Sequence, residues 1–132
     1  MPGDDEIQAR GGAILVVIMG EVVRLPNSHK AVVEIRKLRN YSLNPNHPVG
    51  KHKARVFKAA LGITLNNADW LRERALEMAL SNDARQGAAS VFGDKYVIDS
   101  MLEFTGISAM VRFSWIIESG TDFPRLTSCY VK

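Results

Sequence analysis

Residues 110–118 read MVRFSWIIE, and the apolar side chains of this stretch recur at every second position. The odd-numbered side chains from Val111 to Ile117 would lie on one face of an extended chain, opposite Arg112 and Ser114. Such an alternation predicts a β-strand with one buried face and one exposed face. It also places Trp115 on the face that is expected to be buried.

Two more segments of the C-terminal third are strand-like, residues 95–102 and residues 124–131. A turn-forming sequence, Ser119-Gly120-Thr121-Asp122, separates the alternating stretch from the last segment. Short connections of this kind predict an antiparallel meander. On the last strand, one face is predicted to carry Leu126, Ser128 and Tyr130.

Upstream of these strands, the apolar residues recur at a spacing of three to four, which is typical of amphipathic helices. Helices are predicted from Glu34 to about Leu43, over residues 51–61 and over residues 67–80. A loop with two prolines and a glycine, residues 44–50, separates the first two helices. The predicted fold is therefore α+β, with N-terminal helices packed on a C-terminal antiparallel sheet of three to four strands.

The 132 residues suffice for one domain, and 46% of them are hydrophobic and available for its core. We predict a partly disordered N-terminal extension over residues 1–24 and a single domain over residues 25–132. The longest apolar run, Ala13 to Met19, is shorter than the roughly 20 residues that span a bilayer. Cys129 is the only cysteine, which excludes an internal disulfide, and we interpret it as a buried strand residue. These features predict a cytoplasmic protein with no membrane partner.

Positive charge is concentrated in residues 24–58, which hold nine Lys and Arg residues against one acid, Glu34. This surplus of +8 exceeds the formal net charge of +3, so the rest of the chain is acidic. All three histidines, His29, His47 and His52, lie in the same segment. Because like charges repel, a polyanionic partner would stabilise this surface, although a solvated basic face without a partner fits the same pattern.

The first candidate for chemistry is His47, which lies between two prolines in a restricted loop. Histidine is the side chain best suited to proton transfer at neutral pH. Lys53 and Arg55 follow at the predicted helix start, where backbone N–H groups attract anions. We therefore predict a phosphate cradle beside a general acid or base, with a loop histidine that caps backbone groups as the alternative. The side chains predicted to bind nucleic acid along this basic face are Lys37, Lys51, His52 and Lys58.

The second candidate is the polar face of the predicted sheet, which would face the basic helices. Arg112 would clamp a phosphate, and the hydroxyl groups of Ser128 and Tyr130 would orient it. The alternative is ordinary strand polarity, with Tyr130 at the rim of the core.

No metal or cofactor is expected, because the chain has neither a ligand pattern around His47 and His52 nor a phosphate-binding glycine loop. Phosphodiester chemistry on this scaffold would then be metal-independent. A base would take the proton of an RNA 2′-hydroxyl, cations would stabilise the charged phosphorane, and an acid would protonate the leaving oxygen. DNA lacks the 2′-hydroxyl, so the predicted substrate and partner is RNA.

Several motifs between residues 25 and 131 resemble those of a small bacterial domain family of unknown function. The motifs are Leu25-Pro26-Asn27, Asn44-Pro45-Asn46-His47-Pro48-Val49-Gly50, Lys53-Ala54-Arg55, Trp115-Ile116-Ile117 and Pro124-Arg125-Leu126. That family is in turn distantly similar to barnase-like, RelE-like and colicin-type RNases, by architecture and by the placement of basic residues.

The distant resemblance implies how the candidate residues divide the work. His47, Lys53 and Arg55 would carry proton transfer and phosphate binding, and Arg112, Ser128 and Tyr130 would complete the catalytic site. The sequence thus leads to a metal-independent, RNA-cleaving toxin of a bacterial toxin–antitoxin pair, with an acidic antitoxin covering the basic face. Two alternatives remain, a non-catalytic module that binds nucleic acid or an acidic protein through residues 24–58, and a phage- or effector-associated accessory domain.

Overall fold

The computed structural model describes residues 22–132, which form five strands and three α-helices. In chain order they are β1 (Val22–Arg24), α1 (Ile35–Lys37), α2 (Lys51–Leu61), α3 (Ala68–Ser81), β2 (Asp83–Gln86), β3 (Gly93–Phe104), β4 (Ile107–Glu118) and β5 (Pro124–Val131). A π-helical turn, Leu38–Ser42, continues α1, and a 3-10 turn, Leu65–Asn67, leads into α3. No helix within residues 22–132 is long and apolar enough to cross a membrane.

The five strands form one sheet in the order β1-β2-β3-β4-β5, and all neighbours are antiparallel. The prediction of three to four strands, all following the helices, was therefore wrong. The strand β2 contains only four residues, which is too short for an alternation to be recognised, and β1 is the end of an apolar, β-branched run, residues 13–24, that we assigned to the extension. Of the predicted extension over residues 1–24, the last three residues form β1, and residues 1–21 lie outside the described part of the chain.

A tight turn at Thr105 and Gly106 sets the register of the long β3–β4 hairpin. Both residues have positive φ angles, 50° and 85°, as a two-residue hairpin turn with matching twist requires. The pairing that follows places Asp99 opposite Arg112 and Tyr96 opposite Trp115. The turn therefore decides which side chains of β3 and β4 are cross-strand neighbours.

A bulge between β4 and β5 changes the face that Leu126 occupies. Phe113 pairs with Cys129, but Trp115 pairs with Leu126, so β5 has one extra residue in this interval. Leu126 and Cys129 are both buried, whereas Ser128 and Tyr130 lie on the opposite face. The prediction that Leu126 shares a face with Ser128 and Tyr130 was wrong, because the extra residue inverts the alternation.

The helices cover one face of the sheet, and the side chains that meet there form the core. α2 packs on β4 and β5, and α3 packs on β3. Phe57, Leu71 and Trp115 belong to one buried cluster, and each is at most 1% exposed. The opposite side of the sheet, here called the open face, carries Asp99, Arg112, Ser114, Ser128 and Tyr130 in two adjacent rows. The expectation that these polar residues face the basic helices holds only for Tyr130, which contacts Lys53 of α2 from the edge strand β5, because the core occupies the side on which the helices pack.

Candidate functional site

The loop before α2 is organised by the imidazole ring of His47. Its Nδ1 atom accepts hydrogen bonds from the backbone N–H groups of Val49, at 3.0 Å, and Gly50, at 2.9 Å. His47 therefore caps the first N–H groups at the start of α2, which have no partner within the helix. These two N–H groups are consequently not available to an external anion.

The two bonds also define the proton position on the neutral His47 ring. A nitrogen that accepts hydrogen bonds carries no proton, so the proton resides on Nε2. Nε2–H is then a hydrogen-bond donor. Nε2 already carries a proton and Nδ1 is engaged by the backbone, so neither ring nitrogen is free to take a proton from a substrate. In this arrangement His47 can donate to a phosphate oxygen, but it is not placed as a general base.

Tyr41 lies directly beside this loop and contacts it at two points. Its ring meets the His47 ring edge-to-face, with 4.8 Å between centroids and an interplanar angle of 79°. Its backbone lies against Gly50, where a Cβ atom would come within 2.1 Å of the Tyr41 carbonyl oxygen. Gly50 has helical backbone angles, so glycine is required here for space and not for conformation.

We expect Gly50→Ala to lower the free energy of unfolding by about 1–3 kcal/mol, the usual cost of overpacking. The added methyl group would meet backbone atoms of Tyr41, which cannot rotate away as a side chain can. Urea unfolding monitored by circular dichroism measures the change, and Gly87→Ala is the control, because a Cβ atom there would make only ordinary contacts of 3.6 Å or more. Equal stability of Gly50→Ala and the wild type would show that Tyr41 does not lie against Gly50.

Lys53 lies on the first turns of α2 with its ammonium group between two tyrosine rings. Its Nζ atom is 5.0 Å from the Tyr41 ring centroid and 5.5 Å from that of Tyr130, within the range of cation–π contacts. The same atom is 3.5 Å from the Tyr41 hydroxyl oxygen. No carboxylate of residues 22–132 lies within ion-pair distance of Lys53. The half-buried ammonium is thus held by π-faces and a hydroxyl group, and its charge is left for an anion.

Arg112 lies beside Tyr130 on the open face of the sheet. Its Nε and Nη2 atoms donate to the two carboxylate oxygens of Asp99, at 2.8 and 2.9 Å, and Lys132 donates to Asp99 at 3.1 Å. The pKa of Arg112 is raised, chiefly by the hydrogen bond to Asp99. Desolvation opposes this effect, and the neighbouring Tyr130 adds to it. The pKa of Asp99 is lowered, chiefly by the hydrogen bond from Arg112. Asp99 thus fills the guanidinium fork, so Arg112 is placed to position Tyr130 more than to clamp a phosphate.

Five side chains are therefore connected through direct contacts, and we call them the Lys53 centre. They are Tyr41, His47, Lys53, Arg112 and Tyr130. Four of the six predicted catalytic residues belong to this centre, and Ser128 lies two residues before Tyr130 on the same face of the sheet. The remaining one, Arg55, is exposed and lines a separate groove on the other side of α2.

The residues predicted to bind nucleic acid do not form one surface. Lys51 and Lys58 line the same groove as Arg55. Lys37 lies toward the far end of β4, where its charge helps to lower the pKa of Glu118, although a hydrogen bond from Arg125 is the main cause. His52 is exposed on α2.

Two residues of the site, Tyr41 and Asp99, escaped the sequence reasoning. Asp99 lies within the strand that the sequence predicted over residues 95–102, but only the pairing of β3 with β4 places it opposite Arg112. The turn-forming pair Thr105-Gly106 could have revealed this, because a two-residue turn there fixes the pairing. Tyr41 gave no comparable signal, since its contacts with His47, Lys53 and Gly50 depend on how α1 and α2 pack.

Cys129 is buried on the core side of β5, as predicted from its position in a strand. Burial raises the pKa of its thiol, and the nearby charge of Lys53 opposes that effect only in part. A fully buried neutral thiol is a weak nucleophile. Cys129 therefore serves packing beneath the Lys53 centre.

The basic surplus of residues 24–58 is only partly neutralised in the fold. Arg24 pairs with Asp83, Lys30 with Asp122 and Arg39 with Asp69. The other six cations of the segment have no carboxylate within 4.0 Å among residues 22–132. They are Arg36, Lys37, Lys51, Lys53, Arg55 and Lys58.

Comparison with known proteins identifies a family for this chain but no individual related protein. Residues 24–132 match the model of a family described as a domain of unknown function. No curated protein and no solved structure matches the chain. Within the described residues, no group of three or more His, Cys, Asp or Glu side chains is close enough to hold a metal ion.

Proposed function

The chain belongs to the DUF6883 family, and we propose that this member is a metal-independent endoribonuclease with its reaction centre at Lys53. The observation that carries the proposal is the half-buried Lys53 ammonium between Tyr41 and Tyr130, without a carboxylate partner in the described chain. A cation held in this way is preorganised for a negative charge that develops on a substrate. Hydroxyl groups that can exchange protons lie on both sides of it.

The proposed reaction is an in-line displacement at an RNA phosphodiester. The 2′-oxygen forms a bond to phosphorus, the bond from phosphorus to the 5′-oxygen breaks, and the products carry a 2′,3′-cyclic phosphate and a 5′-hydroxyl. Negative charge increases on the non-bridging oxygens, where the Lys53 ammonium and the Nε2–H of His47 stabilise it. This role for His47 follows from its tautomer, which makes it a donor.

The two protons of the reaction are assigned to the tyrosine hydroxyl groups. Tyr130 accepts the proton of the attacking 2′-hydroxyl in its phenolate form, and the hydroxyl group of Tyr41 gives its proton to the departing 5′-oxygen. The two tyrosines thereby exchange protonation states, so no net proton is consumed. Tyr130 lies opposite Arg112 across β4 and β5, and Tyr41 accepts a hydrogen bond from Lys53 at 3.5 Å, so both tyrosines are held near the proposed phosphate position. Arg112 and Asp99 act as positioning residues for Tyr130.

The toxin role is part of the same proposal and rests on charge and on resemblance. Six cations of residues 24–58 lack a carboxylate partner among the described residues, and an acidic antitoxin would neutralise them on binding. The distant resemblance to barnase-like, RelE-like and colicin-type RNases favours RNA cleavage as the toxic activity.

We expect the purified protein to cleave single-stranded RNA in excess EDTA and to leave DNA of the same sequence intact. Cleaved ends should carry a cyclic phosphate, since the 2′-oxygen is the nucleophile, and end-specific labelling detects it. Tyr130→Phe should cleave at least about tenfold more slowly, because general acid–base groups contribute this much or more. Cleavage of DNA at a similar rate, or RNA products with a 3′-hydroxyl, would contradict the mechanism.

A second function, a non-catalytic module that binds RNA or an acidic protein, is favoured by the role of His47 as a loop cap. Both hydrogen bonds at its Nδ1 atom serve backbone structure, as in a histidine without a chemical role. A folded protein that binds RNA in a salt-sensitive manner but leaves it intact in the same assay would establish this module instead.

A further inference from the structure

A groove with an apolar floor and polar side chains around it lies on the side of α2 that faces away from the Lys53 centre. It encloses about 510 Å³ between the loop before α2 and the turn before α3, and it adjoins a cleft of about 470 Å³ that reaches Arg39 and Asn40. Asn44, Leu65 and Asn66 line both volumes, so the two are adjacent. We call the two together the amide groove. The residues that matter for its chemistry are Asn46, Lys51, Arg55, Lys58, Leu65 and Asn66.

One wall of the amide groove is a row of cations. Lys51, Arg55 and Lys58 recur at helical spacing on α2, and all three are exposed. None has a carboxylate within 4.0 Å in the described part of the chain. Such a row of cations can neutralise several phosphates of one nucleic-acid strand.

The groove also offers amide groups that the fold does not use. Asn44 is occupied, since it accepts from the Asn46 backbone N–H at 2.9 Å and donates to the Asn40 carbonyl at 3.2 Å. The side chains of Asn46 and Asn66, in contrast, make no hydrogen bond to any residue from 22 to 132. A free amide presents a donor and an acceptor together, as the edge of a nucleobase does. Leu65, 42% exposed, provides an apolar surface beside them.

The position of the groove relates it to the Lys53 centre. Lys53 is two residues from both Lys51 and Arg55, so it projects from a different side of the helix. An α-helix with its side chains is about 10–12 Å thick, a distance that a strand spans within a few nucleotides. The loop that carries Asn46 and His47 passes over the start of α2 and joins the two sites.

We infer that the amide groove binds a nucleobase and adjacent phosphates of single-stranded RNA whose scissile phosphate lies at the Lys53 centre. The inference rests on the proposed ribonuclease function and assigns its substrate class. The RNA must be unpaired, because the base edges that Asn46 and Asn66 would contact are free in a single strand, whereas base pairing occupies them in a duplex. Lys51, Arg55 and Lys58 provide affinity that does not depend on sequence, and the amides provide base preference.

The test is the binding of a fluorescently labelled 2′-O-methyl RNA of mixed sequence, followed by fluorescence anisotropy at several salt concentrations. This probe lacks the attacking 2′-hydroxyl, so binding is measured whether or not the protein cleaves RNA. Arg55→Gln should weaken binding and reduce the slope of log K against log salt by about 1. Arg36→Gln removes an exposed cation outside the groove and serves as the matched control.

Base recognition is tested separately with homopolymeric 2′-O-methyl RNAs. Asn46→Ala and Asn66→Ala should reduce the preference among bases by about five- to a hundredfold and leave the salt slope unchanged. Equal effects of Arg55→Gln and Arg36→Gln on RNA binding would overturn the groove assignment. Stronger competition for the labelled RNA by polyglutamate than by unlabelled RNA would also overturn it, and would identify an acidic protein as the occupant. If the wild-type protein cleaves RNA in EDTA but Arg55→Gln binds the RNA probe as tightly as the wild type, the groove is not the RNA-binding site, and the proposed ribonuclease function still stands.

Discussion

Replacing Trp115 by alanine is expected to lower the free energy of unfolding by about 3–5 kcal/mol, the largest stability effect that we predict for a single substitution. Trp115 is 1% exposed at the centre of the sheet, between Tyr96 on β3 and Leu126 on β5. It belongs to the same buried cluster as Phe57 and Leu71, so truncation leaves a cavity between the sheet and the helices. For a domain with a total stability of about 5–15 kcal/mol, this loss approaches unfolding.

Urea denaturation followed by circular dichroism measures the loss, and Trp70→Ala is the matched control. Trp70 is half-buried and packs edge-to-face on Phe104, with 4.8 Å between centroids, so its truncation should cost less. Trp115→Phe should also cost less than Trp115→Ala, because the indole Nε1 is buried without a hydrogen-bond partner in the described chain. If Trp115→Ala were as stable as Trp70→Ala, we would conclude that Trp115 does not belong to the core.

The second large effect concerns activity, and Lys53→Met is the substitution that produces it. Methionine keeps most of the length and apolar contact of the lysine stem but removes the charge from between Tyr41 and Tyr130. Loss of a preorganised donor to a developing oxyanion lowers kcat by about 10²–10³-fold in enzymes. We therefore expect a loss of this size in the rate of RNA cleavage, measured under single-turnover conditions.

Controls separate a chemical role of Lys53 from a structural one. Arg36→Met removes an exposed cation that also lacks a carboxylate partner among residues 22–132, and it should retain the wild-type rate. The melting temperature of Lys53→Met should fall only slightly, because the variant loses no ion pair with the described residues and each lost cation–π contact contributes about 0.5–1 kcal/mol at an exposed site. A rate that falls equally in both variants would indicate a general effect of charge, and the reaction centre would have to be placed elsewhere.

The sequence by itself determined the second helix, the last strand and the clustering of charge. The predicted helix over residues 51–61 and the predicted strand over residues 124–131 coincide with α2 and β5. Both are long enough for several repeats of their hydrophobic period, and period is a local property of the chain. The burial of Trp115 follows from the alternation of β4, whereas the burial of Cys129 was predicted only from its position in a strand. The short strand β2 offered too few residues for an inference from period.

Tertiary structure alone decided which polar groups meet. The bulge on β5 separated Leu126 from Ser128 and Tyr130, and the packing of α2 on β5 brought Lys53 to the Tyr130 ring. Tyr41 joined the Lys53 centre although no local pattern marks it. The physical reason is that a hydrophobic period specifies which face of an element is buried, but polar contacts on the remaining faces depend on register and packing angle. Those quantities arise only when the elements assemble.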